Sequence, residues 1–328
     1  MNKNPKFCII GRGSIGTRHL KNLLALGFHD LVAFSSSKDS DKDKEWMDKY
    51  GVNTLSDIQD LKNYAPDAFI IANPTSKHIE VANLALDLNA SIFMEKPLSH
   101  SQSGVLELRK KIIEKNLMFF QGNCLRFHPA FVKIKKMLEG GELGKIYFAN
   151  IQCGSFFPDW HKDEDYRVSY AGRKDLGGGT VLTLQHEIDY AYWFFGKFKQ
   201  IKSLIKKASD LEIDVEDTAS IIAETESGQL VEIHLDFLRR PSKRGVSVQG
   251  SKGSLDYQYE NERLDVYDFA DMQNKTVLDF SGFDRNQMYL DEMKHFIACL
   301  RGEAKPLVSI DDAIYTLEVC LKILNDNI

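Results

Sequence analysis

Six residues near the N-terminus, Gly11 to Gly16 (GRGSIG), have the spacing of a glycine-rich phosphate-binding turn. They follow an apolar run, Lys6 to Ile10, and precede a segment with helical periodicity. In such a turn Gly11 permits the tight bend, Gly13 lets backbone N–H groups approach a pyrophosphate, and Gly16 lets the helix pack on the strand. The motif predicts a dinucleotide contact made by Gly11, Arg12, Gly13, Ser14, Ile15 and Gly16. A glycine-rich turn in a ligand-free domain is the alternative.

The residues after the second predicted strand (31–35) bear on which dinucleotide binds. A carboxylate here would hold the ribose 2′-hydroxyl of NAD, but the chain carries Ser35, Ser36 and Lys38. Hydroxyls and a lysine suit a 2′-phosphate, and Arg12 can stack on or pair with that end of the cofactor. The pattern favours NADP. NAD is the alternative, with Asp39 or Asp41 supplying the carboxylate from a slightly longer loop.

Two further segments, Ala72 to Thr75 (ANPT) and Glu95 to Pro97 (EKP), follow predicted buried strands. They therefore lie at the carboxyl ends of parallel strands, where ligands bind in such sheets. Pro97 forces Lys96 out of the helical region and fixes where its ammonium points. A lysine held there can hydrogen-bond a substrate hydroxyl or give up a proton. An exposed surface lysine is the alternative.

A run of three glycines, 177–179, precedes a predicted helix from Leu182 to Phe195. Three glycines permit a close backbone approach or a mobile hinge. Helical spacing places one polar set of side chains on a single face, namely Thr183, His186, Glu187 and Tyr190. The pattern offers His186 to a cleft, although a lone histidine on a helix is more often structural.

The loop from Phe156 to Lys174 is rich in aromatic and cationic side chains. They are Trp160, His161, Tyr166, Arg167, Tyr170, Arg173 and Lys174. Aromatic faces and cationic forks suit a sugar ring that carries a phosphate or a carboxylate. A solvated loop or a subunit contact is the alternative.

The sequence pattern predicts two domains that position these candidate residues. The first third of the chain alternates strands with helices, which predicts an α/β Rossmann domain with a doubly wound parallel sheet over residues 1–123. Longer runs of period two follow, and they predict an α+β domain with a large open mixed or antiparallel sheet over residues 124–328. We expect the last helix to pack back toward the first domain.

The composition excludes several classes of protein. With 42 Lys+Arg against 47 Asp+Glu among 328 residues, the net charge of -5 gives no overall attraction to nucleic acid. No apolar stretch is long enough to span a bilayer, and the N-terminus has no apolar signal region ending in a small-residue cleavage site, so we expect a cytoplasmic protein without a membrane partner. The 5 cysteines lack metal-site spacing, which predicts reduced core thiols and no metal.

Six motifs together resemble one family. In order they are GRGSIGTRH, ANPTSKH (Ala72 to His78), MEKPLS (Met94 to Ser99), RFHP (Arg126 to Pro129), GGG followed by HEID, and VEDTA (Val215 to Ala219). Their order and approximate spacing resemble the glucose-fructose oxidoreductase and inositol dehydrogenase (Gfo/Idh/MocA) family over essentially the whole chain. The resemblance implies an NAD(P)-dependent oxidoreductase acting on a sugar or cyclitol hydroxyl, with the nicotinamide between the Rossmann domain and the open face of the second sheet.

Matched residue by residue, the resemblance implies that His186 takes the hydroxyl proton while hydride leaves the same carbon, and that Lys96 polarises the oxygen. Further cofactor contacts are expected from Asn73, Pro74, Thr75, His78, Glu95 and Lys96. Substrate contacts are expected from Arg126, Trp160, His161, Tyr166, Arg167, Thr183 and Asp189.

One departure from the family concerns the histidine's partner. Many members carry an aspartate about one turn before it, where this chain has Thr183. Losing an orienting carboxylate costs roughly 10² in rate in comparable acid–base pairs. Glu187 is one candidate substitute, and Asp159, His161 and Asp165 are others. Asp189, one turn after the histidine, more plausibly supports the helix or the cofactor.

Three functions remain open at this point. The first is a sugar oxidoreductase, with a nucleotide sugar or acidic sugar as the preferred substrate class, in surface-polysaccharide or nonulosonic-acid synthesis. The second is a reductase of a non-sugar substrate, like biliverdin reductase or dihydrodiol dehydrogenase. The third is a cofactor-binding sensor without turnover. A homodimer or homotetramer through the C-terminal sheet is expected, because the outer face of that sheet needs a cover.

Overall fold

The computed structural model describes residues 4–35, 40–161 and 164–326. The chain divides into two compact units. One contains the chain up to Asn123 together with Tyr289–Leu317, and the other contains Cys124–Met288 together with the chain from Glu318. Residues 289–317 therefore group with the first unit, whereas the sequence analysis assigned them to the second domain. Each unit has its own sheet.

The first unit is built from alternating strands and helices. In chain order they are β1 (Phe7–Ile10), α1 (Ser14–Ala25), β2 (Leu31–Phe34), α2 (Ser40–Tyr50), β3 (Asn53–Leu55), α3 (Ile58–Tyr64), β4 (Ala68–Ile71), α4 (His78–Asp87), β5 (Ser91–Glu95), α5 (Val105–Lys115) and β6 (Phe119–Gly122). All pairings are parallel, and the strand order is β3-β2-β1-β4-β5-β6. The order reverses between β1 and β4, which is where doubly wound sheets bind ligands. The predicted Rossmann fold is confirmed.

Strands β1 and β4 are buried along their whole length, as strands covered on both faces must be. Aromatic rings fill the interior beside the neighbouring strands. Phe93 stacks on Phe120 with ring centres 5.4 Å apart, and Phe296 meets Phe93 edge-on at 5.2 Å. This packing fixes the strands whose carboxyl ends carry the candidate residues.

The second unit is organised around one large sheet. Its elements are α6 (Pro129–Glu139), β7 (Ile146–Gly154), α7 (Thr180–Thr183), α8 (His186–Phe195), β8 (Phe198–Lys206), β9 (Thr218–Thr225), β10 (Leu230–Asp236), β11 (Lys243–Gly250), β12 (Gly253–Gln258), β13 (Arg263–Asp268) and β14 (Gln273–Asp279). The strand order is β14-β13-β12-β11-β7-β10-β9-β8, antiparallel except for β7 with β10. The predicted mixed sheet is confirmed. Helices α9 (Asn286–Leu300) and α10 (Ile310–Asn325) end the chain.

Burial alternates along the central strands of this sheet, so that one face is packed and the other is open. Four large apolar side chains lie about half exposed on these strands: Phe148, Leu204, Ile222 and Leu230. Apolar side chains on an open sheet face are typical of an interaction surface.

The predicted single helix from Leu182 to Phe195 is wrong. The chain forms α7, breaks at Leu184 and Gln185, and starts again as α8 at His186. Periodicity did not show the break because the segment is buried on all sides rather than along one stripe.

No helix within the described ranges is long and apolar enough to cross a membrane. Over the same ranges, no group of three or more His, Cys, Asp or Glu side chains could hold a metal ion. None of the five cysteines forms a disulfide, and all are buried.

Candidate active site

The glycine turn joins β1 to α1, and its three glycines have different neighbours. A β-carbon on Gly11, where φ is +95°, would overlap the backbone of Ala72, and one on Gly16 would overlap the carbonyl of Gly11. A β-carbon on Gly13 would meet nothing within 4 Å. Gly11 and Gly16 therefore permit close backbone packing, whereas Gly13 leaves open space in front of the turn.

That open space lies at the N-terminus of α1. The first turn of the helix has no acidic residue and Gly13 gives it no side-chain cap, so its N–H groups are available to an anion. Gly13 and Ser14 are exposed. These features fit a dinucleotide pyrophosphate, which needs donors and close approach rather than side-chain bulk.

Arg12 does not extend freely toward the adenosine end of such a cofactor. Its guanidinium pairs with the Asp43 carboxylate on α2 and lies 3.4 Å from the Thr54 hydroxyl. Ser35 donates its backbone N–H to Leu55. Ser36, Lys38 and Asp39 lie outside the described residues, and Asp41 is exposed on α2. The pairing of Arg12 with a carboxylate weakens the argument that it binds a 2′-phosphate.

His78 links the loops that follow β4 and β5. Its Nδ1 lies 2.8 Å from the Pro97 carbonyl, and its Nε2 lies 2.9 Å from the Asn73 carbonyl. The ring is 1% exposed, and this burial lowers the His78 pKa. His78 is thus a brace behind the two loops, although it was predicted as a cofactor contact.

Glu95 and Lys96 differ in how they are held. The Glu95 carboxylate lies 2.7 Å from Nε2 of His19, a fully buried residue on α1. It also accepts the Lys96 backbone N–H at 3.3 Å. Glu95 therefore ties β5 to α1, and its predicted contact with a cofactor stays a prediction. Lys96 is half-buried and precedes a cis peptide bond to Pro97.

Two buried amides at this edge of the sheet have unsatisfied atoms. Oδ1 of Asn73 and both side-chain atoms of Gln121 have no hydrogen-bond partner among the described residues. Buried polar groups are normally paired, so these atoms leave hydrogen-bonding capacity unused near the carboxyl ends of β4 and β6. A nicotinamide carboxamide, with one acceptor and two donor hydrogens, has matching chemistry. Gln121 was missed by the sequence analysis, because a glutamine in a buried strand carries no spacing signal.

His186 has a distinctive environment in the second unit. From Gly177 to Ala191, a segment described in full, His186 is the one residue that is not buried. It is the first residue of α8, directly after the break in the chain. The local fold thus presents a single imidazole from an otherwise buried segment.

Gly179, the last of the three glycines, packs against Glu216 of the VEDTA motif. The Glu216 carboxylate accepts the backbone N–H of Val181 at 3.0 Å, and Thr180 donates its N–H to the Glu216 carbonyl at 3.2 Å. A β-carbon on Gly179 would overlap the Glu216 carboxylate. The glycines therefore act by close approach, one of the two predicted roles. Burial raises the pKa of Glu216.

The carboxylates considered as substitutes for the orienting aspartate are each bound to an arginine. Glu187 is fully buried and accepts from Arg244 at 2.7 Å. Asp159 pairs with Arg240 and Asp165 with Arg167, at 2.7 and 2.8 Å. Thr183 is 6% exposed.

Arg126 and Asp189, both predicted substrate contacts, bind each other. Arg126 donates to the Asp189 carboxylate through Nε at 2.9 Å and Nη2 at 2.8 Å. Its guanidinium also lies over the ring of Trp193, 5.4 Å from the ring centre. Side-chain exposures of 4% and 2% make this a buried bidentate pair. The structure thus gives the two residues a positioning role.

The 156–174 loop is also held by internal contacts. Trp160 donates to the Ser155 hydroxyl at 2.7 Å and packs on Phe157, while the Tyr166 hydroxyl accepts the Glu212 N–H at 3.3 Å. Arg167 binds the carboxylates of Asp165 and Glu212, and these bonds raise its pKa. Arg173 pairs with Asp175 at 2.7 Å, and His161 is exposed. The predicted cationic forks are therefore neutralised within the loop or beside it.

Two family profiles match the chain. The profile described as "Oxidoreductase family, NAD-binding Rossmann fold" matches residues 6–123, and the "GFO/IDH/MocA C-terminal domain" profile matches residues 131–256. The chain belongs to the Gfo/Idh/MocA oxidoreductase family. The resemblance inferred from the six motifs is confirmed.

This Gfo/Idh/MocA protein has relatives along nearly its whole length. Myo-inositol 2-dehydrogenase of Thermotoga maritima is 28% identical over 322 residues, covering 93% of this chain and 90% of the relative. Levoglucosan dehydrogenase in complex with NADH has the same fold, with a TM-score of 0.88 at 19% identity over 99% of this chain and 97% of that chain. The WlbA dehydrogenase from Bordetella pertussis, in complex with NADH and UDP-GlcNAcA, has a TM-score of 0.84 at 18% identity over 99% and 96%.

The structure adds residues that the sequence did not single out. Cys124, interpreted from sequence as a core thiol, lies with its Sγ 3.9 Å from Nε2 of His186. Arg244 on β11 binds Glu187 on α8, and the two residues are 57 positions apart in the sequence. Such long-range partners leave no periodic or motif signal in a single sequence.

Proposed function

We propose that this member of the family catalyses hydride transfer between nicotinamide and a hydroxyl-bearing carbon of a sugar or cyclitol, with Lys96 and His186 as its catalytic residues. The observation that carries the proposal is the partial exposure of His186, which is the one residue between Gly177 and Ala191 that is not buried. A segment packed this completely would bury an inert side chain at the same position. An imidazole is also the side chain best suited to accept a proton near neutral pH.

Each residue has a separate task in this proposal. A bound nicotinamide would supply the hydride acceptor or donor. In the oxidative direction His186 takes the proton of the reacting hydroxyl, and in the reductive direction it returns that proton. Lys96 donates a hydrogen bond to the same oxygen and stabilises the charge that develops there. His78 and Glu95 hold the Lys96 loop from behind.

We propose NAD(H) as the cofactor, with NADP(H) as the tested alternative. Arg12 is paired with Asp43, which leaves it less able to bind a 2′-phosphate. The structural relatives named above are complexes with NADH. A preference for NADP, inferred from Ser35, Ser36 and Lys38, would require donors from the undescribed residues 36–39.

The substrate we propose is a neutral polyol ring, a free sugar or a cyclitol, ahead of an acidic or nucleotide sugar. Arg167 and Arg173 already bind carboxylates of the protein, so they do not offer open cationic forks to an anionic substituent. Relatives named for inositol and levoglucosan support this class. A place in surface-polysaccharide or nonulosonic-acid synthesis stays a prediction, which turnover of a nucleotide sugar in preference to free polyols would support.

The proposed function is tested in two steps. Absorbance first shows whether nicotinamide copurifies, and calorimetric titration with NADH, NAD, NADPH and NADP then ranks the cofactors. We expect micromolar binding with NADH ahead of NADPH. Turnover is next measured with myo-inositol, scyllo-inositol, levoglucosan and UDP-GlcNAcA.

The variants His186→Ala and Lys96→Met separate catalysis from binding. We expect both to retain the cofactor affinity of the wild type and to lose at least 10² in kcat, the range for a general acid–base group. Binding without turnover of any sugar or non-sugar carbonyl by the wild type would favour a sensor. Absence of nicotinamide binding would refute the proposal.

A further inference from the structure

The 3₁₀ turn Cys124–Phe127 and the first turn of α8 meet at two places. At one, Arg126 and Asp189 form the buried bidentate pair. At the other, Sγ of Cys124 lies 3.9 Å from Nε2 of His186, within reach of a weak sulfur hydrogen bond. Because two parallel hydrogen bonds fix both distance and angle, the ion pair sets the position of the thiol relative to the imidazole.

Burial and hydrogen bonds hold the segments on both sides of this contact in place. Cys124 is 5% exposed, and the turn runs directly into α6, whose first N–H groups are capped by His128. At the far end of α8 the Lys135 ammonium donates to the Trp193 carbonyl at 2.6 Å. The thiol is thus placed by contacts on both sides of it, as residues that support a reacting group are.

We propose that Cys124 is the positioning residue for His186 and takes the orienting role that the family resemblance assigns to a carboxylate. This inference rests on the proposed function of His186. A thiol differs from a carboxylate because it both donates and accepts a hydrogen bond, weakly in each case. In the tautomer that serves a base, Nε2 carries the proton and donates it to Sγ of Cys124, while Nδ1 keeps the lone pair that accepts the proton of the substrate.

The chemical consequence is that the neutral thiol of Cys124 does not stabilise the positive charge of protonated His186 as a carboxylate would. A carboxylate within about 4 Å would favour the imidazolium and raise its pKa by one unit or more. The charged groups on the segments packed around His186 are already paired, Asp189 with Arg126 and Glu187 with Arg244. Residue 124 is thus the position from which the protonation of His186 can be tuned.

A series of substitutions at position 124 tests this inference in the cofactor-loaded protein. We expect Cys124→Ala to lower kcat about tenfold, because an unheld ring spends less time aligned, with the KM for NAD unchanged. Cys124→Ser keeps a group that donates and accepts, so it should recover most of the loss. Cys320→Ala, which removes another fully buried thiol of the same unit, is the matched control and should leave kcat unchanged.

Cys124→Asp tests whether the side chain at position 124 faces His186, the contact on which the positioning role depends. Oxidation needs neutral His186, so a higher imidazole pKa moves the acid limb of kcat/KM to higher pH, by about one unit or more. The same shift should be seen by ¹⁵N NMR of histidine-labelled protein, with the His186 signal assigned through His186→Gln. Thermal unfolding checks that each variant is folded.

The NMR titration also separates the two proposals. If the wild type turns over no substrate, the proposed function fails, while a Cys124→Asp shift in the His186 titration still supports the contact. Unchanged His186 signals in both Cys124→Ala and Cys124→Asp would overturn the inference. Wild-type kcat and pH profile in Cys124→Ala would overturn it equally, even with the enzyme fully active.

Discussion

The carboxylate of Glu216 fills the space into which a β-carbon on Gly179 would project. Gly179 also has a φ of +100°, in the region that side-chain-bearing residues avoid. Two constraints therefore act on one residue just before α7. Together they place the start of the segment that ends in His186.

We predict that Gly179→Ala lowers the free energy of unfolding by about 3 kcal/mol, from backbone strain plus displacement of the Glu216 carboxylate. Gly228→Ala is the matched control, because Gly228 has a φ of +87° and nothing within 4 Å of its added β-carbon. That control should cost only about 1 kcal/mol, the strain alone. Urea denaturation measures both. Equal losses would show that the contact with Glu216 contributes nothing.

The scaffold of the first unit was predictable because its physics is local. Buried parallel strands are short apolar runs, and the turn after β1 requires glycines at fixed spacing. The ends of α5 and α6 depend on local features as well, since Asn116 adopts the left-handed conformation after α5 and His128 caps the start of α6. Each of these signals lies within a few residues of the element it predicts.

The arrangement around His186 was not predictable in the same way. A segment buried on all sides gives no contrast between two helix faces, so the break at Leu184 and Gln185 left no trace in the hydrophobic pattern. The partners of Glu187, Asp189 and His186 come from 57, 63 and 62 residues away. A single sequence shows no local pattern that identifies contacts between residues so far apart.

The glycine turn yields a second prediction, which separates cofactor binding from folding. Gly13 has an ordinary φ of −78° and open space around it, so Gly13→Ala should lower the free energy of unfolding by no more than about 1 kcal/mol, the cost of alanine at a helix N-cap. Its methyl group would occupy the approach to the α1 N-terminus, and we expect NADH affinity to fall at least tenfold.

Gly16→Ala should behave in the opposite way. Its β-carbon would overlap the Gly11 carbonyl, so the variant should lose stability by about 2 kcal/mol or more. Calorimetric titration and urea denaturation are measured on both variants. If Gly13→Ala bound NADH as tightly as the wild type, the pyrophosphate would not lie at this turn.

The open face of the second sheet gives a third prediction. We propose that a second copy of the chain covers Phe148, Leu204, Ile222 and Leu230, because apolar side chains that are about half exposed are otherwise left in water. Ile222→Lys should then reduce the sedimentation mass of the wild-type assembly. Ile113→Lys on α5 is the control, since Ile113 is 55% exposed against 57% for Ile222. A monomeric wild type, or equal effects of the two variants, would contradict the proposal.

The last prediction concerns acid stability and His128. This residue is fully buried at the start of α6, where its Nδ1 accepts the Ala130 N–H at 3.2 Å. Burial, together with the charges of Arg244 and Arg285, lowers the pKa of His128 to about 4. Protonating Nδ1 would also remove the acceptor that caps the helix. The folded protein therefore disfavours the protonated form of His128.

The unfolded chain does not resist it, because a solvated histidine has a pKa of about 6.5. As the pH falls from about 6.5 to about 4, His128 becomes protonated in the unfolded state but stays neutral in the folded state. The free energy of unfolding should then drop by about 3 kcal/mol across this window and be independent of His128 above it. Urea denaturation at closely spaced pH values measures the slope.

His128→Asn isolates this contribution, because asparagine keeps an acceptor at the helix start but does not titrate. The variant should be less stable at pH 7, since it loses the ring packing on Phe283 at 4.9 Å. Its stability should nevertheless fall less steeply than that of the wild type between about pH 6.5 and 4. The neighbouring Glu262, 3.3 Å from Nε2 of His128, is present in both proteins, so the difference in slope reports His128 alone. Parallel slopes would mean that His128 has a similar pKa in the folded and unfolded states, which would contradict the prediction.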